Sequence, residues 1–157
     1  MDNQTAIRHS DTATEQSLYE RDFYQWGLYN AELLRQGRFS EIDVENIIEE
    51  LEGMSRSDKR ELQKRLSVLI AHLLKWQYQP KRRSTSWELT INIQRKDINS
   101  LLNDSPSLKH GIEAVMNEAY DRAKLLFQKE TSISKNILPI ECPYTFYELN
   151  DYDFLPE

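Results

Sequence analysis

An all-α fold is what the sequence predicts: a compact single-domain helical bundle of four to six helices, closed by an extended, aromatic-rich C-terminal segment. Three observations predict it. No stretch alternates apolar and polar residues at the strand period of two. Apolar residues instead recur every three or four positions through most of 18–130. The 5 prolines and 4 glycines of the 157 residues are sparse and mostly punctuate the ends of these periodic runs.

Residues 1–16 are polar and aperiodic and read as a flexible N-terminal tail, leaving 17–157 as a single helical domain. The first helix is expected over 18–36, with Phe23, Trp26, Leu33 and Leu34 at helical spacing and Asn30 among them. Gly27 falls inside it and weakens it by about 1 kcal/mol relative to alanine, which close packing of another element would explain. Gly37 is the stop. Ser40-Glu-Ile-Asp43 reads as a capping box for a second, acidic helix with an apolar stripe of Val44, Ile47, Ile48 and Leu51.

Gly53-Met-Ser-Arg-Ser57 is a break or a thin spot. The third helix, 57–79, carries the clearest signal: Leu62, Leu66, Leu69, Leu73 and Trp76 step by 4, 3, 4, 3, and Ile70 and Leu74 widen the seam. Pro80 ends it. A fourth helix is expected over 86–103 on Trp87, Ile91, Ile98, Leu101 and Leu102. A fifth is expected over 106–130, opened by Ser105-Pro106. Thr145-Phe-Tyr-Glu148 is a capping box for a last short helix. Tyr144, Phe146, Tyr147, Tyr152 and Phe154 are expected to clamp the C-terminus onto the bundle.

Composition limits the function classes. Apolar residues make up 39% and charged ones 29%, as in a soluble globular protein. No apolar run approaches the roughly 18 residues that span a bilayer, and the N-terminus lacks the apolar centre of a signal peptide. The expectation is a cytoplasmic protein of bacterial type with no membrane partner. Cys142 is the only cysteine, so no internal disulfide and no thiolate metal cluster forms. It reads as a small buried apolar residue. Phosphate loops, nucleophile elbows and Cys/His zinc spacings are absent. A Glu45, Glu49 and His72 metal site lacks the Glu-x-x-His pattern of di-iron bundles. Neither a metal nor another cofactor is expected.

The net charge of −6 conceals a segregation. Residues 1–54 hold 4 basic and 12 acidic side chains, 55–96 hold 11 and 3, and 97–157 hold 5 and 11. A basic island in an acidic chain meets nucleic acid, a phosphate or an acidic partner, or else folds against the chain's own carboxylates. Its richest part is 72–87, from His72 to Trp87. There Lys75, Trp76, Lys81, Arg82, Arg83 and Trp87 interleave cations and aromatic rings, which can hold phosphates and stack bases. The same residues can build a corner in which the tryptophans wedge two helices apart and Arg82 and Arg83 cover helix C-terminal carbonyls. The exposed part is expected to be Lys75, Lys81, Arg82 and Arg83.

His72 and Arg65 are the catalytic candidates. Arg-x6-His on a helix is similar to the pair with which HEPN ribonucleases act on RNA, where His is acid or base and Arg holds phosphate oxygens. Leu66 stands where those enzymes carry a polar residue. The competing reading makes His72 a flank residue bonded to a carboxylate such as Glu49, Glu50 or Glu52.

An ordered set of unusual words also runs through the chain. They are Asp22-Phe-Tyr-Gln-Trp26, Ala31-Glu-Leu-Leu-Arg35, Glu49-Glu-Leu-Glu52, Leu69-Ile-Ala-His-Leu-Leu-Lys-Trp-Gln-Tyr-Gln-Pro80, Ser86-Trp87, Asp104-Ser-Pro-Ser-Leu108, Cys142-Pro-Tyr-Thr145 and Asp153-Phe-Leu-Pro156. Over about 20–156 it resembles the bacterial family called domain of unknown function 29. The resemblance implies a compact helical bundle and no particular activity.

The sequence thus leans towards a non-enzymatic interaction protein with a protein partner at the corner 72–87. The alternative is a nucleic-acid-binding or ribonuclease-type component of a toxin–antitoxin-like module. Oligomeric state is open.

Overall fold

The structure, a computed structural model, describes residues 16–157. The tail expected over 1–16 therefore lies, Gln16 apart, outside the described residues. Helices α1 (Leu18–Arg21), α2 (Phe23–Arg35), α3 (Val44–Tyr78), α4 (Thr85–Asp104), α5 (Ile112–Thr131) and α6 (Phe146–Asn150) succeed one another in order, with a short 3-10 turn in each link after α2, and no strand occurs among the described residues. The chain divides into two compact units, Met1–Glu52 and Gly53–Glu157.

In the first unit the helix expected over 18–36 is two helices. Asp22 leaves helical geometry at φ −150° and caps α2, its carboxylate accepting from the Gln25 N–H at 3.0 Å. A helix that gains an N-cap there loses little by breaking. Gly37, at φ +69°, closes α2 as expected: its N–H reaches Leu34 O and that of Arg38 reaches Leu33 O, the paired bonds of a Schellman turn.

The capping box expected at Ser40–Asp43 is displaced. Ser40 sits inside a 3-10 turn, Phe39–Glu41, and Asp43 is the cap of α3, accepting from the backbone and side-chain N–H groups of Asn46. Asp43 Oδ2 also accepts from the Trp26 indole at 2.9 Å, and Asn30 Oδ1 takes the Asp43 backbone N–H at 2.8 Å. These bonds hold the Asp43 carboxyl below its usual range, the Asn46 side chain first and the Trp26 indole next. Trp26, Asn30 and Leu33 are buried at spacings of four and three, the inward face of α2.

Gly53 does not break the chain: α3 is one helix of 35 residues. With no proline between 44 and 78 every backbone N–H remains a donor, and a single glycine weakens a helix without ending it.

The second unit has the expected core. Leu62, Leu66, Leu69, Ile70, Leu73 and Leu74 of α3 are buried against Ile91, Ile98 and Leu102 of α4 and Val115, Met116, Tyr120, Ala123 and Phe127 of α5. The start signal Ser105-Pro106 opens only a 3-10 turn, Pro106–Lys109. The helix proper begins after Gly111, whose φ of +70° no helix accommodates.

Both halves of the Thr145–Glu148 capping box form. Tyr144 is buried, and Phe146 and Phe154 pack against the core, but Tyr147 and Tyr152 are exposed and take no part in the expected clamp. Arg95 does that work. Its side chain is fully buried among these apolar residues and donates Nε–H to Leu149 O at 2.9 Å and Nη2–H to Phe154 O at 2.8 Å and Glu148 O at 3.3 Å. Arg95 is thus the C-terminal cap of α6 and the tether of the segment after it.

Candidate functional site

The corner begins where Pro80 stops α3. Tyr78 is the last helical residue, a 3-10 turn covers Pro80–Arg82, and the Ser84 hydroxyl accepts from the Trp87 N–H at 3.3 Å to start α4. Two cation–ring contacts brace the turn from inside. Lys75 lies 4.7 Å from the centre of the Trp87 ring, and the Arg83 guanidinium lies 5.2 Å from that of Trp76.

Lys75 is not the exposed cation expected. It is 8% exposed, and its Nζ donates to Glu130 Oε2 on α5 at 2.7 Å. Arg83 is exposed but engaged: its Nε–H donates to Trp76 O at 2.9 Å, covering one of the last carbonyls of α3. Trp76 and Trp87 are both half-buried. Four of the six candidate binding residues are therefore tied to this chain itself.

Lys81 and Arg82 are exposed, and neither side chain has a hydrogen bond, ion pair or ring contact among the described residues. They stand on the lip of a mostly apolar groove of about 320 Å³, lined also by Tyr78, Gln79, Pro80 and Ile133.

The catalytic candidates are not brought into a working pair. Arg65 donates Nε–H to Glu61 at 2.9 Å and Nη1–H to Asp97 at 2.8 Å. His72 is half-buried and bonded to no carboxylate among the described residues. Its Nδ1 lies 2.9 Å from Val68 O one turn earlier, so Nδ1–H is the donor and that nitrogen is occupied. Burial pulls the imidazole below its ordinary pKa, opposed by the Val68 carbonyl, with Lys75 adding to the fall and Glu130 opposing it.

A depressed folded-state pKa sets the sign of a pH effect. At high pH His72 is neutral folded and unfolded and contributes nothing. As the pH falls below about 6.5 the unfolded chain takes up a proton that the folded one resists, so stability drops. Chemical denaturation between pH 7.5 and 5 should show this loss, and His72→Gln should remove part of it. An unchanged slope in the variant would count against this account of His72.

Cys142 is half-buried, and burial raises its thiol above the ordinary range, opposite to what a reactive thiolate needs. It lines a cavity of about 570 Å³ between α5 and the segment 140–145, together with Glu113, Asn117, Asp121 and Glu141. Among the described residues no three His, Cys, Asp or Glu side chains stand together as a metal ion requires. Nor is any helix among them long and apolar enough to cross a membrane.

Arg95 is not among the residues singled out from sequence, though a signal for it exists. It falls between Ile91 and Ile98 in the buried spacing of α4, where a cation must find acceptors inside the fold.

No curated protein and no solved structure matches this chain. The family described as Domain of unknown function DUF29 matches residues 18–155, in line with the resemblance read over 20–156, and the chain belongs to that family.

Proposed function

We propose that the protein is a non-enzymatic interaction protein of the bacterial cytoplasm that meets a protein partner through the outer edge of the corner 72–87. The observation that supports this most is the contrast within one short turn. Lys75, Trp76, Arg83 and Trp87 brace the turn, while Lys81 and Arg82 point no charge at any partner among the described residues. Two free cations beside an apolar groove suit an acidic segment with an apolar anchor. Fixing the turn in advance lowers the entropy lost on binding.

The nucleic-acid reading has less support. Phosphate backbones are held by many cations acting together, and here the basic island diverts Lys75 to Glu130 and Arg65 to Glu61 and Asp97. A ribonuclease would need the second nitrogen of His72 to do the work while Arg65 is engaged by Glu61 and Asp97.

A short peptide rich in glutamate with a leucine pair is a suitable probe. Titrated into isotopically labelled protein, it should shift the amide resonances of Tyr78, Gln79, Lys81, Arg82 and Ile133, and Lys81→Glu with Arg82→Glu should abolish those shifts. Salt-dependent shifts with an RNA oligonucleotide, or cleavage of it lost in His72→Ala, would replace this reading with the nucleic-acid one.

A further inference from the structure

Among its described residues the first unit has a very small core for its apolar content. Only Trp26, Asn30 and Leu33 are buried on α2, while Phe23, Val44 and Ile48 are 55%, 50% and 49% exposed. Single exposed apolar residues need no explanation, but a contiguous set does.

Geometry makes this set contiguous. Tyr19 donates to Glu50, and Trp26 donates to Asp43, so the chain from α1 into α2 runs antiparallel to the start of α3. Phe23 stacks on Trp26 with ring centres 5.5 Å apart and meets Tyr19 edge-on. At about 100° per residue, Phe23 and Gly27 are rotated from Trp26 in the same sense as Val44 and Ile48 are from Asp43. In an antiparallel pair the same sense of rotation means the same side. Phe23, Gly27, Val44 and Ile48 therefore line one open face.

Gly27 gives that face a floor. It lies in the middle of α2, where glycine weakens a helix, and the close packing that would explain it is missing: an added Cβ would meet no atom within 4 Å. A glycine on an apolar face lets another backbone approach closely.

Charge identifies the visitor. Residues 16–52 carry nine acidic and three basic side chains, and two of the three cations, Arg35 and Arg38, are already paired with Glu32 and Glu41. Glu45 comes directly after Val44 and borders the face. A second copy presenting the same face would bring like charges together.

We propose that this face of the first unit is a docking groove for a basic amphipathic helix of a partner protein, seated over Gly27 between Phe23 and the Val44–Ile48 stripe. This is the helix-in-groove mode, with apolar anchors on one side of the incoming helix and lysines or arginines at its margins. The groove is independent of the corner at Lys81 and Arg82.

The test uses a labelled synthetic helix with leucines on one face and lysines on the others, monitored by fluorescence anisotropy. Ile48→Glu and Gly27→Leu should each weaken its binding by about tenfold or more, equivalent to about 1.4 kcal/mol. Rising salt should weaken it too, and the same helix with glutamates for lysines should not bind. Gly27→Leu exchanges a poor helix former for a good one, so unchanged circular dichroism and a melting temperature no lower than the parent's separate lost docking from lost folding. Lys81→Glu with Arg82→Glu should leave this binding intact. Equal affinity for parent, Ile48→Glu and Gly27→Leu would overturn the proposal. So would a self-association that Ile48→Glu disperses, because a second copy would then occupy the groove.

Discussion

Replacing Arg95 with alanine should lower the stability of the second unit by about 3–5 kcal/mol. Two losses combine. The backbone carbonyls of Leu149 and Phe154 lose their Arg95 donor and that of Glu148 keeps only the Asp151 N–H at 3.3 Å, and a buried acceptor left unpaired costs about 1–3 kcal/mol. A cavity opens where a fully buried side chain stood. Partial release of the C-terminal segment into water offsets some of this, so the total stays below the plain sum. Urea denaturation measures the loss, and hydrogen exchange should show Phe146–Asn150 opening before α3 and α5. Arg95→Lys should recover only a minor part, because one ammonium cannot reproduce the spread of a guanidinium across three carbonyls. A cost under about 1 kcal/mol for Arg95→Ala would mean that the segment is held by its apolar contacts alone.

Two substitutions on one helix should behave oppositely. Leu69→Ala should cost about 3–5 kcal/mol, as for a fully buried leucine in a packed core. Ile48→Ala, at a position that is half-exposed, should stay within about 0.5 kcal/mol. Both residues belong to apolar stripes of α3 with steps of three and four. A thermal or chemical denaturation series on the two variants decides whether the first turns of α3 add to the fold. Comparable costs would show that the Val44–Ile48 stripe is core, and the docking groove would then have no basis.

That pair also shows how far the sequence could be read. The spacing in 62–76 and in 44–51 is the same signal, and periodicity finds helix faces. Whether a face is covered depends on elements far along the chain, so Leu69 was legible as core whereas the exposure of Val44 and Ile48 was not. Boundaries failed for a related reason. Asp22, Asp43 and Gly111 each settle a helix end through a side-chain acceptor or a positive φ, and these compete with nearby signals of similar strength at Ser40 and Ser105-Pro106. Gly53 shows the converse, a weak residue overridden by its neighbours.

At the corner the residues were legible and their roles were not. Lys75, Lys81, Arg82 and Arg83 are alike in sequence. Only the arrival of Glu130, 55 residues further on, removes Lys75 from the surface, and only the turn at Pro80 brings Arg83 back over Trp76. Arg95 shows the same limit from inside: its three acceptors lie more than 50 residues away.

The division of labour at the corner is the central claim, and one paired measurement tests it most directly. Lys81→Glu with Arg82→Glu is compared with Lys75→Met for melting temperature and for binding of the glutamate–leucine peptide. The account predicts that the charge-reversed pair keeps the parent melting temperature and loses the peptide. It predicts that Lys75→Met, which leaves Glu130 without its cation and Trp87 without its contact, melts lower. A charge-reversed pair that binds the peptide as the parent does, or that melts as low as Lys75→Met, would contradict it.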